Sequence, residues 1–193
     1  MPKLSELLRE HTTLDREQVG HLNRLVSEWG MLADFCFSDL LLYVPTIDGR
    51  WGVVAQVRPA TGQTMYQPDF VGAWASEPEA ALLSKALESV APCEGEIDAD
   101  DVPADTHLLA IPVTFRGKQI AVLTREWIEQ GGRRQGELER AYWSVFEQFE
   151  RMVVAGVFPF AQRSGDSSSA PRVGDGVMLL DGNAEVTYVS PNA

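Results

Sequence analysis

Residues 107–124 read HLLAIPVTFRGKQIAVLT. Two apolar runs flank Arg116-Gly117, and the first alternates at the period of a pleated strand. That pattern predicts strands over 107–115 and 118–124, joined as an antiparallel hairpin by a two-residue turn. Pro112 lacks a backbone donor, so its position is a bulge or its missing N–H faces away from a neighbour. A second strand pair is predicted upstream. DLLLYVP (39–45) and WGVVAQV (51–57) are separated by the turn residues Ile47-Asp48-Gly49-Arg50.

Helices are legible around these strands. A short one is predicted over 3–11. Asp15 is a good N-cap with Gln18 three residues on, and Leu14 and Val19 are placed for a hydrophobic staple. Val19, Leu22, Val26, Trp29 and Ala33 then recur at helical spacing, which predicts one helix over 15–35. Residues 77–90 form another. The longest, 137–156, carries Leu138, Ala141, Tyr142, Val145, Phe146, Phe149, Met152 and Val153 on one face, with Trp143 and Val154 just outside it. Gly156 suits its C-terminus. Residues 58–75, rich in Gly, Pro and Thr, read as a long ordered loop, and 92–105 as an acidic loop. The expected fold class is α+β, an antiparallel sheet of about five or six strands flanked by helices. The loop side (58–90) covers one face, and the N- and C-terminal helices pack together on the other. Residues 161–173 have linker composition, and 174–193 read as a further hairpin turning at Gly182-Asn183.

The charge balance narrows the partners. With 16 Lys and Arg against 28 Asp and Glu, the net charge is −12. Duplex nucleic acid and anionic membrane are repelled on average, so neither is an expected partner. No apolar stretch is long enough to span a bilayer. Two cysteines, Cys36 and Cys93, make no disulfide framework and read as ordinary thiols of a reduced, cytoplasmic protein.

Candidate chemistry is sparse. His11, His21 and His107 lack the partners that catalysis needs, and His21 reads as a surface or boundary residue. The acidic stretch 94–101 lacks the glycine and terminal Glu of an EF-hand loop, so no metal site is assigned. No catalytic residue is expected. Arg58, Thr61 and Thr64 leave a strand end together and can grip a carboxylate, phosphate or carbonyl. Arg58 is the only cation between Trp51 and Ser84. Tyr66 and Trp74, with Trp51 and Phe70, can wall such a site. The expected ligand is small and partly anionic or carbonyl-bearing. The competing reading is that the two threonines shape the loop through local bonds and that Arg58 is structural.

The hairpin LLAIPVTFRGKQIAVLT resembles the hallmark hairpin of GAF domains, with Ala121 where many have glycine. GVMLLDGNAEVTYVSPNA is similar to the opening hairpin of a PAS domain. Together with WGMLADFCFSDLLLYV, the run Arg58-Pro59-Ala60-Thr61-Gly62 and ELERAYWSVFEQFERMVVAGVFP, the chain resembles the N-terminal sensor region of actinobacterial cytosolic histidine kinases of the PdtaS type. The resemblance implies a GAF-like domain over 1–160, a linker over 161–173 and the first hairpin of a truncated PAS domain over 174–193. It implies a cytoplasmic sensory and dimerisation module of a two-component kinase. The fragment itself is then not an enzyme, and ATP and Mg²⁺ belong to a kinase core beyond it. The implied partners are a second copy along the Trp143 and Val154 helix, kinase domains in the same chain, and a response regulator with an RNA-binding output. The Asn-Lys…Phe…Asp-Glu pattern of cyclic-nucleotide GAF domains is not found, nor is a Cys-His pair for a bilin. Two alternatives stand beside this reading: a GAF scaffold used only for dimerisation, and a small-molecule enzyme on the same fold.

Overall fold

The structure is a computed structural model that describes residues 4–62, 64–98, 103–128, 136–160 and 173–190. In chain order its elements are α1 (Leu4–His11), α2 (Arg16–Glu28), α3 (Gly30–Cys36), β1 (Asp39–Pro45), β2 (Trp51–Val57), α4 (Glu77–Ser89), β3 (Cys93–Ile97), β4 (Thr106–Phe115), β5 (Lys118–Ile128), α5 (Glu137–Ala155), β6 (Met178–Leu180) and β7 (Val186–Val189). The first five strands make one antiparallel sheet in the order β2-β1-β5-β4-β3. The β4–β5 turn runs through Arg116 and Gly117, both with positive φ, 49° and 77°, which suits the twist of a two-residue hairpin. Pro112 lies past the end of β3, whose pairing with β4 stops at Ala110. There β4 is an edge strand, and the absent donor breaks no ladder.

The middle of the sheet is covered on both sides. In β1, six consecutive residues from Asp39 to Val44 are buried. Leu40, Leu42 and Val44 pack with α1, α2, α3 and α5, around Leu8, Leu22, Leu25, Phe35, Tyr142 and Phe146. Leu41 and Tyr43 face the opposite way, into a second cluster with Tyr66, Leu83, Ala86, Leu108 and Val122. The loop of residues 58–75 and α4 cover that second face, as expected. Residues 72–75 also lie along the outer edge of β2, where Val53 N–H donates to Ala73 O (3.0 Å) and Ala75 N–H to Trp51 O (2.9 Å). An exposed sheet edge is thereby paired.

Three expectations need correction. The single helix over 15–35 is two, dividing at Trp29-Gly30, where glycine has a low helix propensity. The division lets Leu22 and Leu25 on α2 and Leu32 and Phe35 on α3 enter one cluster. The acidic loop after Pro92 begins with an edge strand, β3, whose inward positions are Cys93, Gly95 and Ile97. Two glutamates and a glycine in five residues hide that alternation, but Gly95 lets Leu82 of α4 pack closely. His21 is buried, not superficial, with its ring 4.8 Å from that of Phe115 and its Nε2 without a hydrogen-bond partner. Burial, then the nearby Arg24, pushes the imidazole down to about 4.

Asp15 accepts from the N–H groups of Glu17 (2.8 Å) and Gln18 (2.9 Å), and Gln18 Oε1 accepts from Asp15 N–H (2.9 Å). At the other end of the domain α5 stops at Gly156, whose φ is 71°. The linker expected over 161–173 lies outside the described residues up to 172. After it, Val173 is buried in the helix-side cluster, and Leu179 and Tyr188 of the β6–β7 hairpin pack against the same cluster. The opposite hairpin face exposes Met178, Leu180, Val186 and Val189.

Gly156 provides a test of how α5 meets the sheet. A Cβ there lies 3.0 Å from the backbone oxygen of Thr114 on β4, in a left-handed conformation that already disfavours side chains. Gly156→Ala is therefore expected to destabilise by about 1–3 kcal/mol. Thermal melting monitored by circular dichroism checks this, and an unchanged midpoint contradicts the packing described.

Candidate functional site, the loop over the second sheet face

The loop of residues 58–75 is held by side chains that reach back to the sheet. Arg58, at the end of β2, donates from Nε to Tyr66 O (3.0 Å) and from Nη2 to Gln67 O (3.3 Å) and Pro68 O (2.6 Å). Its guanidinium gathers three carbonyls of its own loop. Thr61 Oγ1 donates to Asp34 O (2.8 Å) and Ala60 N–H to Asp34 Oδ1 (2.7 Å), which ties the loop's first turn to α3. Thr64 Oγ1 lies 2.7 Å from Asp39 Oδ1, and Met65 N–H donates to Asp39 Oδ2 (2.6 Å). The geometry thus engages all three polar residues of the expected ligand grip in shaping the loop.

The aromatic residues divide. Tyr66 is buried, packs edge-on against Phe70 with centroids 4.8 Å apart, and donates its hydroxyl to Glu126 of β5. Trp74 is 37% exposed and stands at the outer edge, with the Arg50 guanidinium 3.6 Å above its ring and His11 edge-on at 5.7 Å. Tyr66 and Trp74 do share the rim of one narrow cleft, with Leu41, Tyr43, Val53, Phe70 and Glu79. The cleft's cavity volume is ≈ 10 Å³, about enough for one water. Tyr66 and Phe70 occupy the space over the sheet themselves.

Carboxyl groups that belong to no sequence motif lie beneath the loop. Asp39 and Glu126 are each only 1% exposed and stand directly opposite each other on β1 and β5. Thr124 Oγ1 donates to Glu126 Oε1 (2.6 Å). Tyr43 Oη donates to Glu79 Oε1 (3.0 Å), while Glu79 Oε2 accepts from the N–H (2.6 Å) and hydroxyl (2.7 Å) of Ser76, capping α4. Burial pushes Glu126 up to about 7. Its bonds to Thr124 and Tyr66 oppose that shift, and the Glu79 and Asp39 carboxylates reinforce it. Alternation was the available signal, since Val122, Thr124 and Glu126 share one face of β5. Among the described residues, the cleft rimmed by Tyr66, the residue bonded to Glu126, is too small for a substrate.

On the opposite face Arg125 links the sheet to α5. Its guanidinium lies 3.7 Å from the Trp127 ring centroid and 4.4 Å from that of Trp143, and Nε donates to Ser38 Oγ (3.1 Å). Trp143 also stacks on Phe146, with centroids 5.4 Å apart. Trp143 and Val154, expected at an interface between copies, are both half-buried against the helix-side cluster. Cys36 is buried nearby, and burial pushes its thiol up to about 12.

An antiparallel sheet with helices on one face and a long closing loop and helix on the other is the architecture expected of a GAF-like domain. Residues 4–145 match the family model "Histidine kinase PdtaS, GAF domain", and the chain belongs to that family. The whole chain is 39% identical over 197 residues to the sensor histidine kinase PdtaS of Mycobacterium tuberculosis, and 37% over 196 residues to that of Mycolicibacterium smegmatis. It spans 39% of the length of each of these relatives. A solved structure, the sensor region of a sensor histidine kinase, matches all of this chain and 66% of its own, with a TM-score of 0.80 and 37% identity.

Arg58 separates the two readings of the loop. A lysine reproduces the charge but not the fork that spans three carbonyls. Arg58→Lys is expected to lower the thermal midpoint by several degrees, a loss of about 1–2 kcal/mol. Fluorescence-monitored melting checks this, and an unchanged midpoint removes Arg58 from the loop's support.

Proposed function

We infer that this chain is a cytoplasmic input and dimerisation module, which biases a kinase core that follows it in a longer protein by shifting α5 against the sheet. The observation that carries this reading is the Arg125 guanidinium held between Trp127 of β5 and Trp143 of α5. Two cation–π contacts on one partly desolvated cation couple a strand of the loop-covered sheet to the last long helix of the domain. A strand displaced by an event under the loop moves that cation, and with it the helix. Membership of a kinase family supports a downstream phosphotransfer core that uses ATP and Mg²⁺, and a response regulator as its partner. An RNA-binding output for that regulator follows from the family resemblance. No helix among the described residues is long and apolar enough to cross a membrane, in keeping with the cytoplasmic placement.

The scaffold reading also has an observation in its favour, the filled space beneath the loop. The two readings differ in what α5 does. In the longer kinase, Arg125→Gln is expected to change the rate of autophosphorylation from ATP and Mg²⁺ by several-fold while the protein still melts cooperatively. The 193-residue chain alone takes up no phosphate under the same conditions. Unaltered autophosphorylation in a folded variant favours the scaffold.

Both readings call for a second copy. Helix α5 leaves Leu138 exposed and Val154 half-buried. Sedimentation at high concentration is expected to give a mass above 21.3 kDa, and Val154→Glu is expected to reduce it. A strict monomer at millimolar concentration contradicts a dimerising helix.

A further inference from the structure

Residues 64–66 are fastened to the sheet by two carboxyl groups that are direct cross-strand neighbours. Asp39 on β1 takes the Thr64 hydroxyl and the Met65 amide. Its partner Glu126 on β5 takes the Tyr66 hydroxyl from the loop and the Thr124 hydroxyl from its own strand. Both carboxyls are almost completely buried. Two like charges directly opposite on a sheet repel, and in a desolvated site the repulsion is large enough that one group keeps a proton.

Among the described residues, the elements around the pair supply no compensating cation. From β1 come Asp39 and the Tyr43 hydroxyl. Helix α4 contributes Glu79, and the loop contributes Tyr66. The neighbouring strand β4 presents buried Leu108 and Thr106. Arg125, next in sequence to Glu126, lies on the other face between two tryptophans. Arg58 directs its donors at loop carbonyls, and Lys85 of α4 is exposed.

We propose that the Asp39–Glu126 pair is a proton-operated latch: a single carboxylic proton on Glu126 holds residues 64–66 closed on the sheet, and its release to solvent lets them open. Opening uncovers the sheet face that Tyr66 and Phe70 fill when closed, so access to that face depends on pH. In the closed state burial holds the Glu126 carboxyl at about 7, against 4.5 for an open, hydrated glutamate. The closed state therefore binds the extra proton. Its advantage is complete below 4.5, falls as pH rises and is gone above about 7. Between those values the ratio of closed to open drops roughly tenfold per pH unit.

The Met65 amide reports the latch, because its bond to Asp39 breaks when the segment lifts. In the native 193-residue chain its hydrogen-exchange protection, corrected for the intrinsic chemical rate, is expected to fall roughly tenfold per unit from pH 5 to 7 and then level off. In Glu126→Gln, which keeps the size and an acceptor but cannot ionise, protection is expected to be independent of pH. Flat protection in the native chain, or the same slope in the variant, overturns the proposal. Carboxyl carbon NMR of the native chain gives a second readout that does not depend on the variant folding. A Glu126 midpoint near 7 supports the latch, and one at or below 4.5 overturns it.

Discussion

Burial of β1 on both faces is the constraint from which the rest of this structure follows. A strand with six consecutive buried residues cannot sit at the surface of a two-layer sandwich, so each side of the sheet needs its own cover. The helical side is covered by long apolar stripes on α2, α3 and α5. The other side has α4 and one irregular loop, and an irregular loop carries backbone groups that need partners. Arg58, Thr61, Thr64, Asp34 and Asp39 supply them. The residues best suited to gripping a ligand are the same ones that an ordered loop of this kind requires.

That double demand gives the second face its character. A carboxylate at the start of a doubly buried strand is tolerated because Asp39 is bonded to a threonine hydroxyl and a backbone amide. Glu126 opposite is tolerated because it is bonded and, by burial, readily neutral. Polar groups buried in this way cost more than apolar ones of the same size unless every bond is made. Their placement under the loop makes the closed conformation depend on the charge state of Glu126. The sheet joins the two sides through adjacent residues of β5, with Glu126 facing the loop and Arg125 facing α5.

Much of this was readable in the sequence, for identifiable reasons. The β4–β5 hairpin and α5 have long, regular apolar periods and local end signals, Arg116-Gly117 and Gly156, so tertiary context had little to alter. The division of α2 from α3 was hidden because Trp29 and Ala33 continue the period across Gly30. Strand β3 was hidden because its outward positions are glutamates and its central inward position is glycine. At the candidate site the sequence singled out Arg58, Thr61 and Thr64, which the structure engages in holding the loop. It did not reveal which of Arg58's possible partners it meets, since loop carbonyls have no sequence signature. Asp39 and Glu126 lie 87 residues apart in sequence, and only the register of β1 on β5 brings them together.

The central claim is that the loop's own side chains fill the second sheet face. Electron density for the protein crystallised without added ligand, at a pH below 6, tests it most directly. The expected result is Tyr66 seated between Phe70 and Tyr43 with its hydroxyl on Glu126, and at most one water in the remaining cleft. Density for a bound molecule lying over Thr124 and Glu126, with Tyr66 displaced, contradicts it.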